Sequence, residues 1–257
     1  RIYIGYIPEH ATLSLTGLGV CLPVITAVMA FANLFGMGGA PLCSIERGRG
    51  NQKEAEAIMG NAFTLMVICG ILLTILGIVF RRPLLYLFGA SDSTYPYAES
   101  YMTIYLLGSV FVMMGLGMNA FINSQGFGRI GMQTVLLGAV ANIILDPVFI
   151  FGFRMDVRGA ALATIISQFL SAAWVLRFLF SDRSILRLKR ETMVLKKARV
   201  LKIVSMGMSS FAAGFTNSVV AVACNATLQT WGGDLYVGVM TVIHSVREIA
   251  ENLVKGL

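Results

Sequence analysis

Charge is what this sequence has least of. Only 13% of its 257 residues are Asp, Glu, Lys or Arg, against 56% hydrophobic, and its mean hydropathy is +0.77. Soluble domains carry about a quarter charged residues, so this much apolar surface excludes a water-soluble globular class. Cysteine is scarce too: Cys21, Cys43, Cys69 and Cys224 stand singly in apolar runs, with no Cys-x-x-Cys and no His/Cys cluster. That excludes a disulfide framework and a zinc site. Two histidines, no His-Glu-x-x-His and no paired buried aspartates leave no group set for an intramembrane enzyme. The net charge of +7 comes without a basic groove interleaved with aromatics, which argues against nucleic acid as a partner.

What the sequence does have is length without charge. Uncharged runs cover 11–45, 57–80, 100–128, 130–153 (broken only by Asp146), 159–176 and 203–233, with a shorter one at 235–246. Each of the first six approaches or exceeds the roughly 20 residues that cross a bilayer as a helix. Alternating strands of about ten residues, the mark of a membrane barrel, are not seen. The expected fold class is therefore all-α, a polytopic membrane helix bundle of about seven spans.

Lys and Arg set the orientation. Arg47, Arg49, Lys53, Arg129 and the nine bases from Arg177 to Lys202 fall on one side; Arg1, Arg81, Arg82, Arg154 and Arg158 fall on the other. The richer side is expected to be cytoplasmic, which puts residues 1–10 outside. An outer start without Met implies a span upstream, and an end inside a helical pattern implies a continuation. The chain reads as a fragment of a larger transporter.

The longest connection, 177–202, mixes Ile185, Leu186, Leu188, Val194 and Leu195 with its bases. It fits an amphipathic helix on the inner leaflet or a solvated linker between two bundles. Small residues recur every fourth position at Gly159, Ala163, Ser167 and Ser171, and cluster at Gly17, Gly19, Gly36, Gly38 and Gly39. Both patterns let helices approach closely.

One acid interrupts the apolar runs. Asp146 follows Ile143-Ile144-Leu145 and precedes Pro147, with Asn142 four residues earlier and so on the same helical face. A buried carboxylate costs about 2.5–3.5 kcal/mol to insert near a helix centre, and such residues face a cavity or a partner. Pro147 cannot donate to the Ile143 carbonyl and is expected to kink or open the helix there. The resulting oxygen cluster suits a hard cation, and the acid could equally carry a proton. Cation and proton would compete for it, which would couple an ion gradient to shape. The alternative is a structural hydrogen bond to a neighbouring helix. Thr164 and Gln168 form a second polar pair, which either completes the oxygen set or bonds between helices. Asn119 and, near the outer half of the preceding span, Tyr101 and Tyr105 are further candidates to line a cavity. Tyrosines at that depth also serve as interface anchors. Fourteen Met and sixteen Phe suit a cavity that repacks around varied ligands. His244, Arg247, Glu248, Glu251 and Lys255 crowd the last run, where they either neutralise one another or handle a cation.

Four runs in order, Gly36-Met37-Gly38-Gly39-Ala40 with Arg47-Gly48-Arg49-Gly50-Asn51, Asn119 to Gly126, Asn142 to Pro147, and Gly159 to Thr164 with Ser167-Gln168, resemble the multidrug and toxic compound extrusion family. In detail they resemble its bacterial DinF-like branch. The resemblance implies a twelve-helix protein in two lobes, an antiporter and not an enzyme. It would export amphipathic, often cationic drugs across the bacterial cytoplasmic membrane against Na⁺ or H⁺. It implies that residues 1–181 form the first lobe without most of its first helix, 182–202 the inter-lobe linker, and 203–257 the start of the second lobe. Asn142, Asp146 and Thr164 match the branch's cation or proton site, where Na⁺ would bind, and Asn119 matches a cavity position. The family's other first-lobe acid would lie just upstream of Arg1. The NorM-like branch places an acid in helix seven, and 203–233 has none. No cofactor beyond the coupling ion is implied; the partners are small-molecule substrates and membrane lipid, around a monomer. The related lipid-linked oligosaccharide flippases are the alternative, disfavoured because the only clear mid-span charge in the first lobe is negative.

Overall fold

The computed structural model describes Tyr3 and residues 11–256, with the side chains of Tyr3 and 12–247. No strand occurs among the described residues. The helices are α1 (Ala11–Gly48), α2 (Gln52–Val79), α3 (Arg81–Leu87), α4 (Tyr95–Leu107), α5 (Ser109–Ser124), α6 (Gly128–Pro147), α7 (Asp156–Leu179) and α8 (Lys197–Gly256). Five are long and apolar enough to cross a membrane, six when the bent pair α4–α5 counts as one.

α1 is the central element and packs against α2, α4, α5 and α8. Its glycines make this possible. A Cβ on Gly36 would meet the Gly117 backbone of α5 at 2.8 Å, and one on Gly38 would collide with the backbone at Ile203 and Gly207 of α8. Helices at such points touch through main chain alone. The turn between α1 and α2 follows from local chemistry. Gly50 (φ 77°) ends α1, with Asn51 N–H donating to the Glu46 carbonyl and Gly50 N–H to that of Arg47. This 6→1 and 5→2 pattern needs a left-handed residue, which glycine adopts without strain. Asn51 then caps α2 by accepting from Glu54 N–H at 3.3 Å.

Two expectations need correction. The uncharged run 100–128 is not one straight span: α4 and α5 meet at Gly108 with a 54° bend. The Ile165 side chain of α7 fills the space a Cβ on Gly108 would need. Thr74 of α2 donates to the Leu106 carbonyl at 2.6 Å and pairs with Ser109, so the freed backbone is satisfied by a neighbour. Nothing in the local pattern signals this break.

Of the connection 177–202, the ends continue α7 and α8, and residues 180–196 form neither an amphipathic helix nor a solvated linker. They form a strap with one short 3₁₀ turn (Arg190–Met193), seated on the base-rich ends of α2 and α5. Leu186 and Leu188 are buried. Gln125 accepts from the Leu186 N–H and the Ser184 hydroxyl. Asn61 donates to the Thr192 and Val194 carbonyls and accepts from Lys196 N–H, and Thr64 donates to the Met193 carbonyl. Buried Glu56 holds the Lys189 ammonium at 2.7 Å, and Glu54 holds Arg199 through two hydrogen bonds.

α8 reads continuously, but Gly233 (φ 65°, ψ −165°) breaks it. Gly207 abuts Leu34, Ser218 donates to the Pro23 carbonyl at 2.7 Å and Asn225 to that of Gly19 at 3.0 Å. Beyond the break Gly238 lies against Thr16, and Thr241 against Gly19. The contacts descend α1 and then climb it, so the chain reverses at Gly233. The two arms of α8 account for the seventh span.

Candidate functional site

The small-residue stripe of α7 positions the site by drawing α6 against it. Gly159 lies against the backbone of Phe149, and Ser171 donates to the Thr134 carbonyl at 3.1 Å. Towards α5 and α1 the same helices part and leave a cavity of about 350 Å³. Asn119 of α5, Asn142 of α6, and Thr164 and Gln168 of α7 all line it, with Met29 of α1 on the facing side. Four of the residues singled out in the sequence thus share one space.

Asp146 lies one turn beyond Asn142, whose amide Nδ2 donates to Asp146 Oδ1 across a long 3.3 Å bond. Its side chain is turned inward: Asp146 is 7% exposed, while Ile143 and Ile144 beside it are 59% and 58% exposed. Among the described residues no cation pairs with it. The depth is not central. Asp146 occupies the last turn of α6, about 27 Å along from Gly128, which places it in the outer half of the span. Pro147 ends the α-helical geometry as expected. The chain continues as a π turn, Val148–Gly152, in which Phe153 N–H reaches the Val148 carbonyl.

The hydroxyls of the lining can act towards the space only as acceptors. Thr134, Thr164 and Ser167 each donate to a carbonyl of the preceding turn. Ser171 donates across to Thr134. With each hydroxyl proton engaged, the lone pairs remain available. Asn119 donates to the Gly131 carbonyl at 3.3 Å, and its buried Oδ1 has no partner. Among the described residues no Lys, Arg, Asp or Glu lines the space, and Asp146, bonded to Asn142 of that lining, is the anionic group beside it. Such an arrangement can take a small cation or an ammonium group; among the described residues there is no His/Cys/Asp/Glu cluster of the kind that holds a transition metal.

Tyr101 and Tyr105 do not join this set. They stack on each other at 6.1 Å within the buried face of α4, away from the cavity lining. They are not interface anchors either, because both are buried. Thr134, Ser167 and Ser171 line the cavity beyond the expected set. The four-residue spacing Thr134–Gly138–Asn142–Asp146 is the sequence signal that marks the first of them. Of the cluster at the last run, His244 and Arg247 line a smaller cavity of about 170 Å³ with Asn225 and Thr241. The side chains of Glu248, Glu251 and Lys255 lie outside the described residues.

Comparison with known proteins is decisive at the level of family. Residues 2–148, more than half of the chain, match the MatE family model. The chain belongs to the MatE family. Multidrug export protein MepA of Staphylococcus haemolyticus is 26% identical over 230 residues, covering 90% of this chain and 50% of that protein. The MATE multidrug transporter DinF-BH, solved as a complex, is 32% identical with a TM-score of 0.85, over 94% of this chain and 54% of that one. An inward-facing MATE transporter of the MOP superfamily, 24% identical, shares the fold with a TM-score of 0.85 over 90% of this chain and 52% of that one. The chain spans about half the length of the curated relatives it matches. MatE proteins are secondary transporters, not enzymes, and this chain is accordingly a multi-pass membrane protein.

Proposed function

We propose that the protein to which this chain belongs is an antiporter. It exports amphipathic, often cationic compounds across the bacterial cytoplasmic membrane in exchange for Na⁺ or H⁺. Residues 1–181 belong to its first lobe, 182–202 to the inter-lobe linker and 203–257 to the second lobe. Asp146, Asn142 and Thr164 hold the coupling ion, while Asn119 and Gln168 face the substrate. Tyr101 and Tyr105 act by supporting α4. No cofactor takes part, and the unit of transport is a monomer in lipid.

One observation carries this reading: a lining whose hydroxyls keep their lone pairs open, with a buried carboxylate one helical turn beyond that has no basic partner among the described residues. A hard cation or a proton neutralises that carboxylate at the same place where a cationic solute would be drawn, so the two exclude each other. The relatives named for multidrug export and multidrug transport point to the same substrate class. A flippase of anionic lipid-linked sugars would need bases in this lining, and among the described residues it has none.

The test is accumulation of ethidium, a fluorescent amphipathic cation, in cells expressing the full-length protein. Efflux is expected to require a Na⁺ or a proton gradient and to fall to background in Asp146→Asn. Undiminished efflux in that variant overturns the reading.

A further inference from the structure

A cavity larger than the one beside Asp146 lies at the other end of the same helices. This space of about 530 Å³ opens at the cytoplasmic ends of α6 and α7, lined by Ile130, Gln133, Trp174, Arg177, Phe178, Ser181 and Arg183. Its position matches the inner membrane surface, on the side to which the bases of 177–202 belong. Two guanidinium groups contribute to it, and no acid does. The nearest acid in sequence, Asp182, is taken by Arg187 at 2.6 Å. Neither Arg177 nor Arg183 has an ion-pair partner among the described residues.

We infer that this cavity binds the phosphate headgroup of an anionic phospholipid of the inner leaflet. Arg offers a planar fork that meets a phosphate with two parallel hydrogen bonds. Gln133 stands beside the pair with an amide that can donate to glycerol or ester oxygens, while the Ser181 hydroxyl donates to the Phe178 carbonyl and accepts from Arg183 N–H, which holds the turn that carries Arg183. Trp174, 39% exposed, supplies the indole that such a depth favours. The route for the acyl chains continues from the same faces. Leu137, Val140 and Ile144 follow Gln133 along α6 at helical spacing, and Leu170 lies one turn deeper than Trp174 on α7; all four are exposed. A soluble anion would use the arginines but would leave this apolar continuation bare. Basic pockets between helices on the cytoplasmic side are suited to anionic lipid for this reason.

Trp174 makes the inference testable. In the full-length protein, Trp231 and any other tryptophan outside position 174 are replaced by phenylalanine. The protein is then placed in phosphatidylcholine bilayers, and brominated phosphatidylglycerol or brominated phosphatidylcholine is titrated in. Trp174 emission is expected to be quenched with a preference of roughly thirty-fold for phosphatidylglycerol, about five-fold per guanidinium. Arg177→Gln with Arg183→Gln is expected to bring the preference close to one, while Lys53→Gln, a loss of charge elsewhere on the cytoplasmic side, leaves it intact. Arg177→Lys with Arg183→Lys keeps the charge and is expected to keep most of the preference. Should the double glutamine variant not reconstitute, each single variant is expected to lose about five-fold. Equal quenching by the two lipids overturns the inference, as does a preference that survives the glutamine variants. Inorganic phosphate added to plain phosphatidylcholine bilayers is expected to leave the emission unchanged. A saturable response to phosphate without a phosphatidylglycerol preference would identify a soluble-anion site instead.

Discussion

Pro23 withholds an amide hydrogen that the Gly19 carbonyl would otherwise accept, and Asn225 replaces it from another helix at 3.0 Å. The two residues lie in different helices far apart along the chain, so each is intelligible only through the other. Asn225→Leu leaves a buried carbonyl unpaired and is expected to lower stability by about 1–3 kcal/mol. In a Pro23→Ala background the helix supplies its own donor, and the loss should shrink to less than about 1 kcal/mol. Denaturant unfolding of the four proteins of this double-mutant cycle measures the difference. Equal losses in both backgrounds contradict the assignment. The contrast with Asp146 is instructive. Asp146, Asn142, Thr164, Gln168 and Asn119 are legible in the sequence because each is polar in an apolar run, and the pairs are spaced to share a face. Tyr101 and Tyr105 mislead, since sequence tells how deep a residue lies but not which way it points. Ser218 and Asn225 send no signal, because their acceptors are set by a proline in another helix.

At the scale of elements, the strap is the feature that periodicity could not reveal. Hydrophobic spacing in 177–202 is compatible with a surface helix, yet Asn61, Thr64 and Gln125 take up backbone groups that a helix would have satisfied internally. Replacing Asn61 and Gln125 by leucine strands those groups. Proteolysis within 183–196 is expected to speed up by about ten-fold or more, because the strap opens locally while the spans remain folded. Cleavage at the wild-type rate would show that the strap is held by something else. Gly233 offers a second check. Its φ of 65° with ψ of −165° belongs to a region essentially reserved for glycine. Gly233→Ala is expected to cost about 1–3 kcal/mol, seen as a lowered Tm. The spans themselves follow from charge and length alone; the break at Gly108 and the course of the strap depend on Ile165, Thr74 and Asn61, which lie far away along the chain.

For the whole molecule, the excess of bases on one side over the other, from Arg47 to Lys202 against Arg81 to Arg158, marks which face meets the cytoplasm. In a protein cleared of its native cysteines, Ser93→Cys is expected to react with a membrane-impermeant maleimide in intact cells, and Lys53→Cys only after permeabilisation. The reverse pattern would invert the topology, and with it the direction in which Asp146 is reached. Close contact between helices is the other property of the whole. A Cβ on Gly36 would meet the Gly117 main chain, one on Gly38 the main chain at Ile203 and Gly207, and one on Gly207 the main chain at Leu34, so no facing side chain is there to trim. Elsewhere in a protein a bulkier residue can be accommodated by a later, smaller one across the interface. Here what stands opposite is main chain, which no substitution can shorten. Mutational drift has no compensating step available at these positions, so sister sequences that have diverged widely in what they carry should still agree at Gly36, Gly38 and Gly207.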